Sequence, residues 1–335
     1  MTTAYAAMRD ALVVADREGA DWSYDHRLDG RSLECVAASS DRSERAFVGT
    51  FESGLQRTTD GGETFERIGA ASIEQDAVLS VAVSPHDPDV VYAGTEPSRL
   101  YRSTDSGDTW TQVGGLTDLP SADEWSFPPR PDTHHVRWIE PDPHDPDRLY
   151  VGIEAGALLL TEDGGDTWRE RPPGSRRDNH TLTTHPDAPD RAWSAAGDGY
   201  AETRDGGETW ERPEDGLDHR YCWSLAVDPA DPDTVLMSAA SGAYSAHDAD
   251  RAESYLYRKR GGESESESEW FRLTNFPADE GVVRAVLAVG NEAGECYAAT
   301  NRGLFRTADA GDHWERVPVP WERFEEHTCQ GLAVV

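Results

Sequence analysis

The sequence predicts an all-β fold: a single domain over residues 1–335 forming a seven-bladed β-propeller, its four-stranded antiparallel blades closed into a ring by strands from both termini. Three observations carry this prediction. One octad, an Asp-containing turn closed by an aromatic, recurs at Thr58–Phe65, Ser103–Trp110, Thr161–Trp168, Thr203–Trp210 and Thr307–Trp314, the last gap being about twice the others. Short apolar runs separated by Gly, Pro and Asp clusters precede each octad and read as strands of a meander. The two chain ends match complementary pieces of the same unit.

The units follow in order. The first blade core covers residues 33–68 and the second residues 79–113, where VLSVAV, VVYAGT, LYRST and TWTQV give four strands around a Pro/Asp turn, a short loop and the octad. The third (134–171) and fourth (179–213) repeat this plan. The fifth (221–273) begins normally with CWSLAV and TVLMSAA, but its octad has decayed to GGESESESEW, a Ser/Glu run expected at a solvated hairpin tip. The sixth covers 282–317, and a split seventh combines 327–335 as the innermost strand with 10–28 as later ones. Closure with strands from both ends removes the exposed sheet edges that would template aggregation.

Each octad residue has a mechanical reason to be present. The aspartates Asp60, Asp105, Asp163, Asp205 and Asp309 can accept hydrogen bonds from the amides of their own turns, the glycines permit positive φ, and the closing aromatic packs between neighbouring sheets. These turns join third and fourth strands, and a residue recurring around a ring is expected to be structural, since a catalyst is needed once. The octad resembles the Asp-box, or BNR repeat, of sialidases, sortilin-type receptors, xyloglucan-active glycoside hydrolases and photosystem II assembly-factor propellers. The chain is most similar to intracellular seven-bladed WD40/YVTN/BNR-like proteins. For activity the resemblance implies little, because the Arg-Ile-Pro motif that sialidases carry is absent.

Residues that differ from blade to blade mark the opposite face. Aligning the innermost strands puts Glu34, Leu79, Arg137, His180, Trp223, Arg284 and Gln330 at the pore entrance, with His134, His135, His219, Tyr221 and His327 one step outward. Loops between second and third strands add Glu52, Glu96, Glu154, Asp198, Tyr244, Asn301 and Arg302, and the long connector 114–133 adds Trp125, Phe127 and Arg130. An Arg/His/Trp-lined face suits an anionic small ligand, a glycan or a protein partner. The expected function is therefore a non-catalytic binding or scaffold propeller. The alternative is a glycoside hydrolase or sialidase-like enzyme using a carboxylate pair such as Glu34 with Glu154 or Glu96 with Asp198. His135, His180, His219 and His327 would be the set to hold a metal, but no ligand spacing supports one, so neither metal nor cofactor is expected. His86, His144 and His185, in the Pro/Asp turns, are expected to face solvent.

Composition bounds the rest. Lys+Arg 31 against Asp+Glu 64 gives a net charge of -33, and the only lysine is Lys259. Such a surface repels nucleic acid and anionic membranes and suits a high-salt cytoplasm, where salt screens its self-repulsion. Cys35, Cys222, Cys296 and Cys329 lie in apolar runs and read as buried free thiols. The N-terminus lacks a basic segment followed by an apolar one. A soluble, monomeric, cytoplasmic protein is expected.

Overall fold

The computed structural model describes residues 1–261, 269–276 and 281–335; the Ser/Glu run at 262–268, expected at a hairpin tip, lies outside them. Seven antiparallel sheets surround one axis, with strands in each added outward from the innermost. The innermost strands are Leu33–Ala38, Val78–Val83, Val136–Pro141, Asn179–Thr184, Tyr221–Asp228, Val286–Val289 and Cys329–Val334. Six blades have four strands; the fourth has three, and a single bridge between Glu202 and Glu211 marks its outer position.

The seventh blade closes the ring. Cys329–Val334 pairs with Thr2–Met8, which pairs with Ala11–Glu18 and then Asp21–Arg27. Thr2–Met8 is a strand beyond those expected from the sequence. Its residues Ala4, Ala6 and Met8 are fully buried in one cluster with Leu332, Tyr297 and Trp321, so small side chains at a crowded inner position replace the long apolar ones that usually signal a strand.

The octads sit where strand order places them, beside the turns between first and second strands. Gly61, Ser106, Gly164, Gly206 and Ala310 donate their amides to carbonyls of those turns. In the third blade Thr161 Oγ1 donates to Asp163 Oδ1 (2.8 Å) and accepts from Gly165 N (2.9 Å), while Thr167 N donates to Asp163 Oδ1 (2.8 Å). These bonds hold the Asp60, Asp105 and Asp163 carboxyls down at about 2, and depress Asp205 and Asp309 as well.

Two consecutive octad positions take positive φ, but they tolerate different residues. At the first, Ser106 (φ 63) and Ala310 (φ 52) replace glycine. At the second, glycine is kept for a further reason. A Cβ on Gly165 would lie 2.2 Å from Val113 Cγ1, and one on Gly107 2.6 Å from Ile68 Cδ1, each on the preceding blade. The octad is thus a turn and a blade-to-blade contact at once.

Of the turn histidines, His86 and His144 are exposed as expected and His185 is not. His185 is buried, and each of the three reaches a carbonyl of the next blade: His86 Nε2 to Asp142 O (2.9 Å), His144 Nε2 to His185 O (3.4 Å) and His185 Nε2 to Asp228 O (3.0 Å). Unmet carbonyls at sheet ends attract any donor within reach.

All four cysteines are buried and unpaired. Among the described residues no helix is long and apolar enough to cross a membrane.

Candidate functional site: the ring of bulged residues

Six of the seven innermost strands share a local irregularity that aims side chains at the axis; Val286–Val289, just after Arg284, pairs without one. Register shifts fall between Leu33 and Cys35, Val78 and Ser80, Val136 and Trp138, Asn179 and Thr181, Cys222 and Ser224, and, in the closing blade, opposite Cys329 and Gly331. The skipped residues are Glu34, Leu79, Arg137, His180, Trp223 and Gln330. A bulge leaves its extra residue out of the ladder and re-aims its side chain. The same bulges let small residues clip adjacent blades: Ser80 Oγ donates to Val136 O and Thr181 Oγ1 to Trp223 O, both at 2.9 Å.

The ring side chains pack on one another and form a plug. Trp223, 5% exposed, lies at the centre. The Arg284 guanidinium stacks 3.6 Å from its ring centroid, that of Arg137 4.9 Å away, and the His180 imidazole 4.2 Å away. Arg284, 1% exposed, donates to Cys329 O (2.6 Å), Gln330 Oε1 (3.2 Å) and His247 Nδ1 (3.2 Å). Burial, then the neighbouring Arg137 charge, bring its guanidinium down to about 9. Tyr221 stacks on Trp223 and pairs its hydroxyl with His247 Nε2 at 3.2 Å. Beneath the plug runs an axial channel of about 510 Å³, from Arg137 and Gln330 to Pro85, Pro143, Pro186 and Pro229 in the turns on the octad side.

An ionic cluster adjoins the plug. His135 Nε2 lies 2.8 Å from Glu154 Oε2 and its Nδ1 3.4 Å from Glu96 Oε2. Arg130 grips Glu96 with two bonds, one of them Nε to Oε1 at 2.7 Å, and stacks on Phe127 and Phe51. Burial opposes charge on Glu96, but the bonds from His135 and Arg130 win and hold it at about 2. Glu154 follows the same balance: burial opposes its charge and the His135 bond outweighs that, lowering the carboxyl well below 4.5. Burial also opposes charge on His135, yet bonding to Glu154 and Glu96 raises it above 6.5. Glu34 is raised, because its burial exceeds what Arg137 restores.

The structure therefore brings together Glu34, Glu96, His135, Arg137, Glu154, His180, Tyr221, Trp223, Arg284 and Gln330. The histidine set considered for a metal does not converge. His219 turns outward to the Tyr257 hydroxyl and the Tyr255 ring, and His327 lies against Asp10 and Phe324. His134 bonds Ser98 Oγ at 2.8 Å. Asp198 faces the Arg177 and Asp178 amides at 3.4 Å.

Two site residues escaped the sequence reading. His247 ends a short helix, Ala243–His247, in the second-to-third strand loop of the fifth blade. Asp178 lies in the connector just before the fourth innermost strand, 3.8 Å from His180 Nε2. Its place two residues before a bulged histidine was the available signal.

No protein-family model matches the chain, and no curated protein matches it. Solved structures do. An ancestral GH74 enzyme superposes with a TM-score of 0.64 at 15% identity over 85% of this chain, and the GH74 xyloglucanase from Xanthomonas campestris with 0.62 at 15% over 85%. This chain spans only 38% and 45% of those proteins. YCF48 bound to a D1 peptide superposes with 0.59 at 17% identity, covering 86% of this chain and 82% of that one. At these identities the likeness is one of fold.

Proposed function

We propose that the protein is a binding propeller, and that the plugged face opposite the octads takes an anionic group of a peptide or glycan. The observation that carries this reading is Arg137. Its Nε is buried and makes no hydrogen bond; its ion-pair partner, Glu154 Oε2, is 3.7 Å away and already bonded to His135. A buried charged donor left unmet beside an aromatic ring is a vacancy for an acceptor. Half-buried Glu34, Gln330 and Tyr221 form the rim through which such a group would approach.

Two further points support binding over hydrolysis. Of the carboxylate pairs considered, Glu154 and Glu96 are both held ionised by cationic partners, which disfavours either as a proton donor near neutral pH. One protein of the same fold, YCF48, has been captured with a peptide.

The test is a screen of carboxylate-terminated peptides and acidic glycans by calorimetry at molar KCl. Arg137→Gln is expected to weaken any hit by ~10-fold, the worth of one charge-assisted bond. A hit bound equally well by the variant removes Arg137 from the site.

A further inference from the structure

Beside the plug, three ligand-type side chains converge, and the buried imidazole nitrogen among them has no hydrogen-bond partner. Glu154, Asp178 and His180 each offer one ligand atom, all within 4.8 Å of one another. His180 is fully buried, and its Nδ1 lies 2.7 Å from the Cys222 carbonyl oxygen. A carbonyl can only accept, so Nδ1 carries a proton. In the neutral ring the lone pair is therefore on Nε2.

That Nε2 makes no hydrogen bond. It points at two carboxylate oxygens, Glu154 Oε1 at 3.7 Å and Asp178 Oδ1 at 3.8 Å. Both separations exceed the roughly 2.7–3.2 Å of an N–H···O bond. A lone pair facing two anionic oxygens in a buried place is unfavourable, and a divalent cation among the three atoms relieves it.

The oxygens are sorted for the purpose. Glu154 gives Oε2 to His135 and Arg137, leaving Oε1 for His180. Asp178 Oδ1 accepts the Ala155 amide at 2.8 Å, which fixes the carboxylate in place. Gly197 makes the room: a Cβ there would fall 2.0 Å from Asp178 Oδ2 and 3.1 Å from His180 Cε1.

The structure assigns to Glu154, Asp178 and His180 a binding site for a first-row divalent cation, of which zinc is the probe. One imidazole and two carboxylates suit zinc and its neighbours better than magnesium or calcium, which favour oxygen alone. Metal-bound histidine ordinarily donates its other N–H to a carbonyl or carboxylate, as His180 does to Cys222. Ligand atoms ~2.1 Å from a tetrahedral zinc stand roughly 3.4 Å apart, so the two distances from His180, 3.7 and 3.8 Å, close with shifts of a few tenths of an ångström. The side chain of Asp178, 29% exposed, lies on the solvent side of the cluster and gives the ion a way in.

The experiment uses the full chain, purified without chelator or histidine tag and titrated with zinc against a large excess of magnesium. The magnesium occupies the many surface carboxylates. One tight zinc site is expected, weakened ~10-fold or more in Asp178→Asn and in His180→Asn. Asp178→Asn is half-exposed and isosteric, so it keeps the test informative should the buried His180 variant fail to fold. His313→Asn, at the exposed His313–Asp309 pair, is expected to leave the affinity unchanged. Equal zinc affinity in Asp178→Asn and wild type, or zinc binding that magnesium abolishes, overturns the assignment. Because no variant touches Arg137, failure here leaves the anionic-ligand proposal standing.

Discussion

Single residues in the ionic cluster set how the molecule responds to pH. Glu154 has a folded value below its ordinary 4.5, so its contribution is full above pH 4.5 and is lost as pH falls through the depressed value. His135 has a folded value above 6.5, so its contribution is full below pH 6.5 and is lost as pH rises through the raised value. Both act together between these limits. The melting-temperature gap between wild type and His135→Asn is expected to be widest near pH 5.5 and to narrow in both directions; a gap that does not change with pH contradicts the account. Residue identity at the ring was legible, because the Pro/Asp turns fix where each innermost strand ends and counting back along the strand reaches the axis. Its burial was not. Aligning strands tells which side chain reaches the axis, but whether seven such side chains leave a pit or fill it depends on their joint volumes. Asp178 and His247 were missed for a related reason: they come from a connector and a loop helix whose positions follow from the packed ring.

At the scale of elements, the octad and the bulge divide the labour of a blade. The octad closes the outer hairpin and rests on the preceding blade, and its buried hydroxyl is the keystone. Thr161, 1% exposed, serves the Gly165 amide, the Asp163 amide and the Asp163 carboxylate. Thr161→Val keeps the shape and leaves the buried Gly165 N–H unmet, for an expected loss of about 1–3 kcal/mol in denaturant unfolding. A loss below about 0.5 kcal/mol would mean that water or the turn itself replaces the hydroxyl. Octads were legible because five copies share one geometric demand. The bulges were not, since each is defined by pairing to a second strand and leaves a different residue in each blade. The strand Thr2–Met8 was hidden by its alanines, whose role appears only once the closing strand is beside it.

The molecule as a whole carries -33 charges on a closed ring, and nearly all its positive charge is arginine. Several of those arginines tie neighbouring blades together on the octad side, as Arg45 does to Asp89, Arg148 to Asp190, Arg191 to Asp233 and Arg258 to Asp312. The one lysine is spent inside: Lys259 is buried against Glu202 and lies 3.1 Å from the Tyr200 hydroxyl. The remaining acidic surface repels itself, and salt screens that repulsion over about 10 Å at 0.1 M. Melting temperature is expected to climb from low salt into molar KCl. Equal melting at both extremes would show that the arginine ties already offset the repulsion. The number of blades was legible from the repeat, since a ring admits only whole blades and the two ends supplied the missing one.

The pairing of Thr3 with Val335, N to O at 2.7 Å and back at 2.9 Å, sets an order of events during synthesis. On the ribosome the strand Thr2–Met8 emerges before the six other blades, and the strand it pairs with, Cys329–Val334, emerges after them. Six blades can form and stack while the seventh remains a three-stranded sheet with an open inner edge. Emergence of Cys329–Val334, rather than any earlier point in translation, is then the moment at which the ring can lock, and a nascent chain stalled before it would present that edge to a chaperone at the tunnel exit.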